Sequence, residues 1–260
     1  MQQKNKIVSV VTYGALVLIF MTSVLFTIFR TQEVPMLGIE APTGMVLVDG
    51  GTFKMGDAKS HIYNEIPAHN VTLSSFYMSD HEVTQAEWEA VMGSNPSEHK
   101  NCDNCPVENV SWDEVREYID KLNRRINKKY RLPTDAEWEY AARGGKKNYG
   151  YAYSGGDTIE AVGWNGENSG DTSHPVKQKK ANSLGLYDMT GNVEEWCQDC
   201  FTFYSSEPQT NPHGQDHRGR RVTRGGDFLT SSEFSRVAFR KDWPQDMSLN
   251  TLGFRLASSL

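Results

Sequence analysis

Basic residues are outnumbered in this chain, and that shortage excludes one class of partner. Lys and Arg number 27 against 33 Asp and Glu, which gives a formal net charge of −6 over 260 residues. Residues 1–30 contain three basic residues and no acid, so the remainder carries −9. Proteins that bind nucleic-acid backbones concentrate Lys and Arg, so we expect no nucleic-acid partner.

Signature motifs of several large enzyme classes are also absent. The sequence has no Gly-x-Ser-x-Gly, no Gly-x-Gly-x-x-Gly and no Walker loop, so serine hydrolases, dinucleotide enzymes and nucleoside triphosphatases have no support. It has no internal repeat and no low-complexity tract, and 38% hydrophobic with 11% aromatic residues is typical of a folded globular protein. We therefore interpret residues 44–260 as one domain, rich in loops because long apolar helical patterns are few.

One long apolar run is present, at the N-terminus. Residues 8–29 carry no charge, and 22 residues at about 1.5 Å each reach across a ~30 Å hydrocarbon core. We predict a transmembrane anchor there, with a cytoplasmic tail at 1–7 because Lys4 and Lys6 precede the run, and a linker at 30–43. The domain would then lie in the periplasm or outside the cell. A cleaved signal peptide is the alternative, although the run exceeds the usual apolar length of ~7–15 residues.

Three capping boxes predict three helices. Thr84, Ser111 and Thr134 are each followed by a Glu three positions later, which predicts helices over 84–92, 111–127 and 134–143. The Gly50-Gly51 pair between two β-like runs predicts a tight hairpin over 45–56, and 71–78 is a further strand candidate.

An oxygen-rich turn is the clearest candidate for a metal. Asp188 and Glu195 are seven residues apart, and Gly191 between them permits a turn that aims backbone carbonyls inward. Hard cations such as Ca²⁺ prefer such mixed carboxylate and carbonyl ligands. A solvated acidic turn with Asn192 in a left-handed conformation explains the same residues nearly as well.

The four cysteines form two C-x-x-C pairs, Cys102 with Cys105 and Cys197 with Cys200. The spacing suits a structural zinc site, but outside the cytoplasm paired cysteines are more often oxidised, so we favour two disulfides. The sequence does not select among the three pairings, and a redox-active dithiol is a third interpretation. His213 and His217 also have a helical spacing, but Pro212 and Gly214 favour a loop there.

Several strings, in order along residues 44–260, resemble the formylglycine-generating enzyme (sulfatase-modifying factor) family. They are Gly44-Met-Val, Gly51-x-Phe-x-Met-Gly56, Glu82-Val-Thr, Asn95-Pro-Ser, Pro106-Val-x-Asn-Val-Ser-Trp112, Arg131-Leu-Pro-Thr-Asp-Ala-Glu-Trp-Glu-Tyr-Ala-Ala-Arg143, Gly185-Leu-Tyr-Asp-Met-x-Gly-Asn-Val-x-Glu-Trp196, Arg224-Gly-Gly226 and Leu252-Gly-Phe-Arg255. The resemblance implies an α+β fold related to the C-type lectins, with little regular secondary structure and stabilised by calcium. It also implies calcium ligands at Asp188 and Glu195 by side chain and at Gly191 and Val193 by carbonyl.

The resemblance fails at the catalytic centre. Active members of the family bind copper(I) through a cysteine pair after the Gly-Gly strand and use O₂ to oxidise a substrate cysteine. Those positions fall on Thr230 and Ser235 here, and no cysteine lies between residues 201 and 260. Because copper(I) is soft and requires thiolates, copper is not an expected cofactor.

Two functions from different classes remain. The first is a membrane-anchored module that uses the scaffold to bind an envelope protein or peptide. The second is an oxidase, either a formylglycine-generating enzyme with an atypical site or a related metal-dependent oxidoreductase acting on secreted proteins.

Overall fold

Short strands joined by long loops dominate the computed structural model, which describes residues 44–214 and 219–260. The predicted anchor at 8–29 and His217 lie outside these residues. Within the described ranges, no helix has both the length and the apolar character needed to cross a bilayer. In chain order the strands are β1 (Met45–Val48), β2 (Gly51–Met55), β3 (His69–Leu73), β4 (Phe76–Ser79), β5 (Tyr130–Arg131), β6 (Glu194–Cys200), β7 (Gln209–Thr210), β8 (Arg220–Arg224), β9 (Arg240–Pro244), β10 (Leu252–Gly253) and β11 (Ala257–Ser259).

The strands form three sheets, with orders β1-β4-β11-β5, β10-β6-β8-β9 and β2-β3-β7. The helices are α1 (Gln85–Met92), α2 (Trp112–Ile126), α3 (Asp135–Ala142) and the single-turn α4 (Ile159–Val162). Residues 163–193 contain no helix and only isolated bridges. This mixture of helices, strands and long loops agrees with the α+β fold that the sequence predicts.

The three predicted helices are confirmed, and so is the mechanism that starts them. At Thr84, Ser111 and Thr134 the hydroxyl accepts a hydrogen bond from the amide three residues on, and the Glu at that position accepts one from the cap amide. These bonds satisfy amides that the first helical turn leaves without partners. Each helix start could be predicted because the whole motif lies within four consecutive residues.

The predicted hairpin over 45–56 is wrong. β1 pairs with β4 and β2 pairs with β3, both antiparallel, and the register continues from Val48 opposite Phe76 to Gly51 opposite Leu73. The two strands are therefore consecutive parts of one ribbon, bent where the Gly50 amide donates to Ser75 Oγ at 3.0 Å. The predicted strand 71–78 is divided at the same bend. An alternating pattern shows that a segment is extended, but not which segment pairs with it.

Two hydrophobic clusters hold these elements in place. One lies between the bent ribbon and α3 and includes the fully buried Trp138. The other lies under α1 and α2, where the Trp88 and Tyr118 rings stack with centroids 5.1 Å apart and Phe254 packs against both edge-on. Both clusters border the turn between Asp188 and Glu195, so the packing of the core fixes its position.

Candidate functional site

The turn before β6 has an unusual backbone. Asp188, Gly191 and Asn192 all have positive φ, at 55°, 73° and 62°. A side chain on Gly191 would place its Cβ 1.9 Å from the Trp164 carbonyl oxygen, so only glycine fits there. Asn192 does occupy a left-handed position, as the sequence suggests, and its side chain donates to Glu82 Oε2 at 2.6 Å.

Asp188 has one carboxylate oxygen without a hydrogen-bond partner. The residue is buried, and Oδ2 accepts from the Lys177 amide at 2.7 Å. Oδ1 is buried and accepts nothing in the described residues. Burial raises the pKa of Asp188 above its ordinary value. An unpaired, desolvated carboxylate oxygen is costly on its own and is the donor that a hard cation requires.

Glu195 is held by two neighbours from distant parts of the chain. Arg255 donates to Oε1 from Nη2 at 2.6 Å and to Oε2 from Nε at 2.7 Å, and the Trp138 indole donates to Oε2 at 2.8 Å. All three residues are buried. A cation that used Glu195 would therefore share the carboxylate with a guanidinium.

The cluster carries more negative than positive charge. Glu82 is buried beside Asp188 and Glu195, and Arg255 is the cation that faces all three. Desolvation, and then the charges of Asp188 and Glu195, raise the pKa of Glu82 well above its usual value. A bound cation would relieve this repulsion. Sequence reasoning assigned no role to Glu82 or Arg255, although each lies in a string that carries the family resemblance.

The donor set fits calcium only in part. Asp188 Oδ1 and the carbonyls of Gly191 and Val193 lie in one turn, whereas Glu195 is engaged with Arg255. In residues 44–214 and 219–260 no three His, Cys, Asp or Glu side chains converge to hold a metal ion. A cation here would thus depend on backbone carbonyls for much of its shell, as calcium sites commonly do. Calcium remains a prediction.

Thr230 and Ser235, the residues that the family resemblance assigns to the positions of the cysteine pair, lie in one loop. Thr230 Oγ1 accepts from the Asp227 amide at 3.3 Å, and its carbonyl accepts from Gly166 at 2.9 Å. Ser235 is buried at the end of a short 3-10 turn, with Oγ 3.5 Å from the Ser231 carbonyl oxygen. Both hydroxyls therefore contact the backbone of their own loop.

A second loop clamps this one. Ser232 donates to Glu167 Oε1 from both its amide and its hydroxyl, at 3.3 and 3.0 Å. These two bonds, together with the bond from the Gly166 amide to the Thr230 carbonyl, join residues 166–167 to residues 230–232. Leu229 and Phe234 on the loop are exposed. The loop is thus ordered by hydrogen bonds between residues of the chain, with apolar side chains facing solvent.

The structure contains one of the two predicted disulfides. Cys102 and Cys105 are bonded across a turn, with their Cα atoms 5.3 Å apart. The prediction for Cys197 and Cys200 is wrong, since both are buried thiols on β6. Residues three apart on an extended strand are separated by ~10 Å, beyond the ~7 Å limit for a disulfide. Burial raises the pKa of Cys197 well above its usual range, which disfavours the thiolate that acts as a nucleophile.

His213 lies in a loop, as predicted, and contributes to an open groove of about 450 Å³. The groove is otherwise lined mainly by hydroxyl and amide side chains, among them Ser74, Asn211 and Ser259. Asn211 and Ser74 already bond each other, since the Ser74 amide donates to Asn211 Oδ1 and Asn211 Nδ2 donates to Ser74 Oγ. The groove does not contact the Asp188 turn or the 229–235 loop through any lining residue.

Comparison with known proteins accounts for this architecture. A family model described as the sulfatase-modifying factor enzyme 1-like domain matches residues 32–260. The chain is 34% identical to chaperone protein LppX of Paenibacillus barcinonensis over 80% of this chain and 85% of that protein. It is 32% identical to the formylglycine-generating enzyme of Streptomyces coelicolor over 83% of this chain and 89% of that enzyme. Among solved structures, Treponema denticola variable protein 1 superposes with a TM-score of 0.78 at 30% identity, covering 83% of this chain and 95% of that one. The chain therefore belongs to the sulfatase-modifying factor family, which includes the formylglycine-generating enzymes.

Proposed function

We propose that this chain is a binding module on the formylglycine-generating enzyme scaffold and not a copper oxidase. The observation that carries the proposal is the pair of hydroxyl residues, Thr230 and Ser235, at the positions that the family resemblance assigns to the copper-binding cysteines. Copper(I) is held by soft thiolate ligands, and a neutral hydroxyl is a hard and weak ligand for it. The chain has two cysteines after residue 195, Cys197 and Cys200, and both are buried thiols on β6, which precedes the loop.

The architecture of the loop supports binding in place of catalysis. Its hydroxyls contact its own backbone, Glu167 clamps it from outside, and Leu229 and Phe234 are exposed on it. Exposed apolar side chains on a hydrogen-bonded loop are a common feature of protein-binding surfaces. One relative that covers most of this chain bears the name of a chaperone protein, so the scaffold is also present in proteins not named as oxidases.

The proposed setting is the outer face of a membrane. The uncharged run at 8–29 is long enough to span a bilayer, and the basic residues before it favour a cytoplasmic tail. The domain would then meet envelope proteins or peptides outside the cytoplasm. Calcium, at the millimolar concentrations of such compartments, would act there as a structural ligand of the Asp188 turn.

The test compares copper(I) binding and O₂ uptake by the purified protein with those of two double variants. Thr230→Cys with Ser235→Cys restores both thiols at the family positions. Ser231→Cys with Ser232→Cys is the matched control, because it places two thiols in the same loop at another spacing. We expect stoichiometric copper(I) on the first variant only.

Two results would contradict the proposal. Stoichiometric copper or iron on the natural chain, with O₂ uptake on a cysteine-containing peptide, would show an oxidase with an atypical site. Equal copper binding by both double variants would show that positions 230 and 235 are not the missing ligands.

A further inference from the structure

The Cys102–Cys105 disulfide ties no distant elements together. It joins residues three apart, and the Cys105 amide already closes the same turn by donating to the Cys102 carbonyl at 3.0 Å. The stabilisation from a cross-link grows with the length of chain it encloses, so a ring this small contributes little. Stapling two parts of the fold is therefore not what this bond does.

Backbone hydrogen bonds connect the turn to the rest of the domain. The first two amides of α1 donate into it, from Gln85 to the Cys105 carbonyl at 2.9 Å and from Ala86 to the Asp103 carbonyl at 3.1 Å. The Val176 amide donates to the Asn104 carbonyl at 2.9 Å. The turn thus supplies acceptors to the start of α1 and to the Val176 amide. The next residue, Lys177, donates its amide to Asp188 Oδ2.

The two sulfurs lie in different environments. Cys102 is partly exposed between exposed neighbours, whereas Cys105 is 4% exposed. Cys105 Sγ lies 4.0 Å from the Ser173 carbonyl oxygen. A disulfide sulfur has no proton to donate to that oxygen, but a thiol has one. The reduced form of Cys105 therefore already has a hydrogen-bond acceptor in place, and Cys102 is the sulfur that solvent reaches.

We propose that the Cys102–Cys105 disulfide is an exchange site for a dithiol reductant. A thiolate of the reductant attacks Cys102 Sγ, the S–S bond breaks, and Cys105 leaves as a thiolate that takes up a proton beside the Ser173 carbonyl. The second thiol of the reductant then attacks the mixed disulfide and releases Cys102. Two electrons pass to the cysteine pair, and the reductant becomes a disulfide.

The primary test is alkylation of the folded full-length protein, in detergent, with and without millimolar dithiothreitol. We expect Cys102 to be alkylated after reduction, while the buried Cys105, Cys197 and Cys200 stay unmodified until the protein is denatured, when Cys105 of the reduced sample reacts as a free thiol and Cys105 of the unreduced sample does not. Because the ring is short, the melting temperature should fall by only on the order of 4–8 °C. A bond that resists the reductant until the protein unfolds would overturn the proposal, and so would simultaneous alkylation of Cys197.

Hydrogen exchange tests the consequence for the turn. Reduction should speed exchange at the Gln85, Ala86 and Val176 amides and leave the Trp88 amide, which donates to Thr84 within the helix, unchanged. The double variant Cys102→Ser with Cys105→Ser is the control. It should show the exchange pattern of the reduced protein and no response to dithiothreitol. Identical exchange in the reduced and oxidised natural protein would contradict the coupling.

Discussion

At the scale of single residues, Asp188 is the side chain whose substitution tests the calcium site most directly. Its Oδ1 has no partner in the described residues, so a cation would satisfy an atom that is now desolvated and unpaired. Millimolar Ca²⁺ on a site of ~10 µM affinity would stabilise the folded state by roughly 2.7 kcal/mol. We expect the melting temperature to rise by on the order of 5–10 °C, and Asp188→Asn to abolish the rise.

The choice of variant follows from the neighbours of the turn. Glu195→Ala would also remove the partner of the buried Arg255 and lower stability for that reason alone, so it is a poor probe of calcium. Asp120→Asn, on the exposed face of α2, is the matched control and should keep the calcium response. Equal melting temperatures in EDTA and in calcium, for a sample shown to be metal-free, would refute the site.

His81 makes stability depend on pH. Burial by itself lowers the pKa of His81, but hydrogen bonds to Glu87 and Asp80 outweigh it and raise the pKa above the ordinary value, while Lys177 opposes them. The unfolded chain titrates near ~6.5, so the contribution is fully present below that pH. It is lost as pH rises through the higher folded pKa.

The pH dependence is measured by urea denaturation between pH 5 and 9. In the natural chain the free energy of unfolding attributable to His81 should decline as the pH rises above about 6.5. His81→Asn should flatten that decline, whereas His213→Asn, at an exposed loop position, should leave it intact. A decline that persists in His81→Asn would assign it to another group.

At the scale of elements, the N-cap of α2 offers a local test of helix stability. Ser111 Oγ accepts from the Glu114 amide, and Glu114 Oε2 accepts from the Ser111 amide at 2.8 Å. Ser111→Ala removes the first bond and should cost about 1 kcal/mol of unfolding free energy. Ser111→Asp keeps an acceptor at the cap and should recover most of the loss. Equal denaturation midpoints for the natural chain and Ser111→Ala would contradict the role of the cap.

Elements also differ in how well the sequence predicts them. The capping boxes at Thr84, Ser111 and Thr134 are complete within four residues, so the three helix starts could be predicted. The pairing of Gly51 with Leu73 joins residues 22 positions apart, and an alternating pattern does not name a partner. For this reason the predicted pairing of the two strands in a hairpin is wrong, although both strands are present.

At the scale of the whole molecule, we predict that the full-length protein fractionates with membranes. The reason is the uncharged run at 8–29, long enough to span the hydrocarbon core. A truncated form that begins near Pro42 should be soluble and folded, as judged by a cooperative thermal transition. A mature N-terminus between residues 25 and 40, found by mass spectrometry, would show a cleaved signal in place of the anchor.

The sequence by itself determined the family and the helix starts, and its resemblance to the family assigned Thr230 and Ser235 to the positions of the cysteine pair. Each depends on residue identity or on neighbours within a few positions, and both can be read directly from the sequence. Tertiary structure alone decided that Cys102 bonds Cys105 while Cys197 and Cys200 lie as buried thiols on β6, and that Arg255 pairs with Glu195 across 60 residues. It also decided that Asp188 Oδ1 is left without a partner. These outcomes depend on which distant segments the hydrophobic core brings together, because burial and electrostatic pairing act through space and not along the chain.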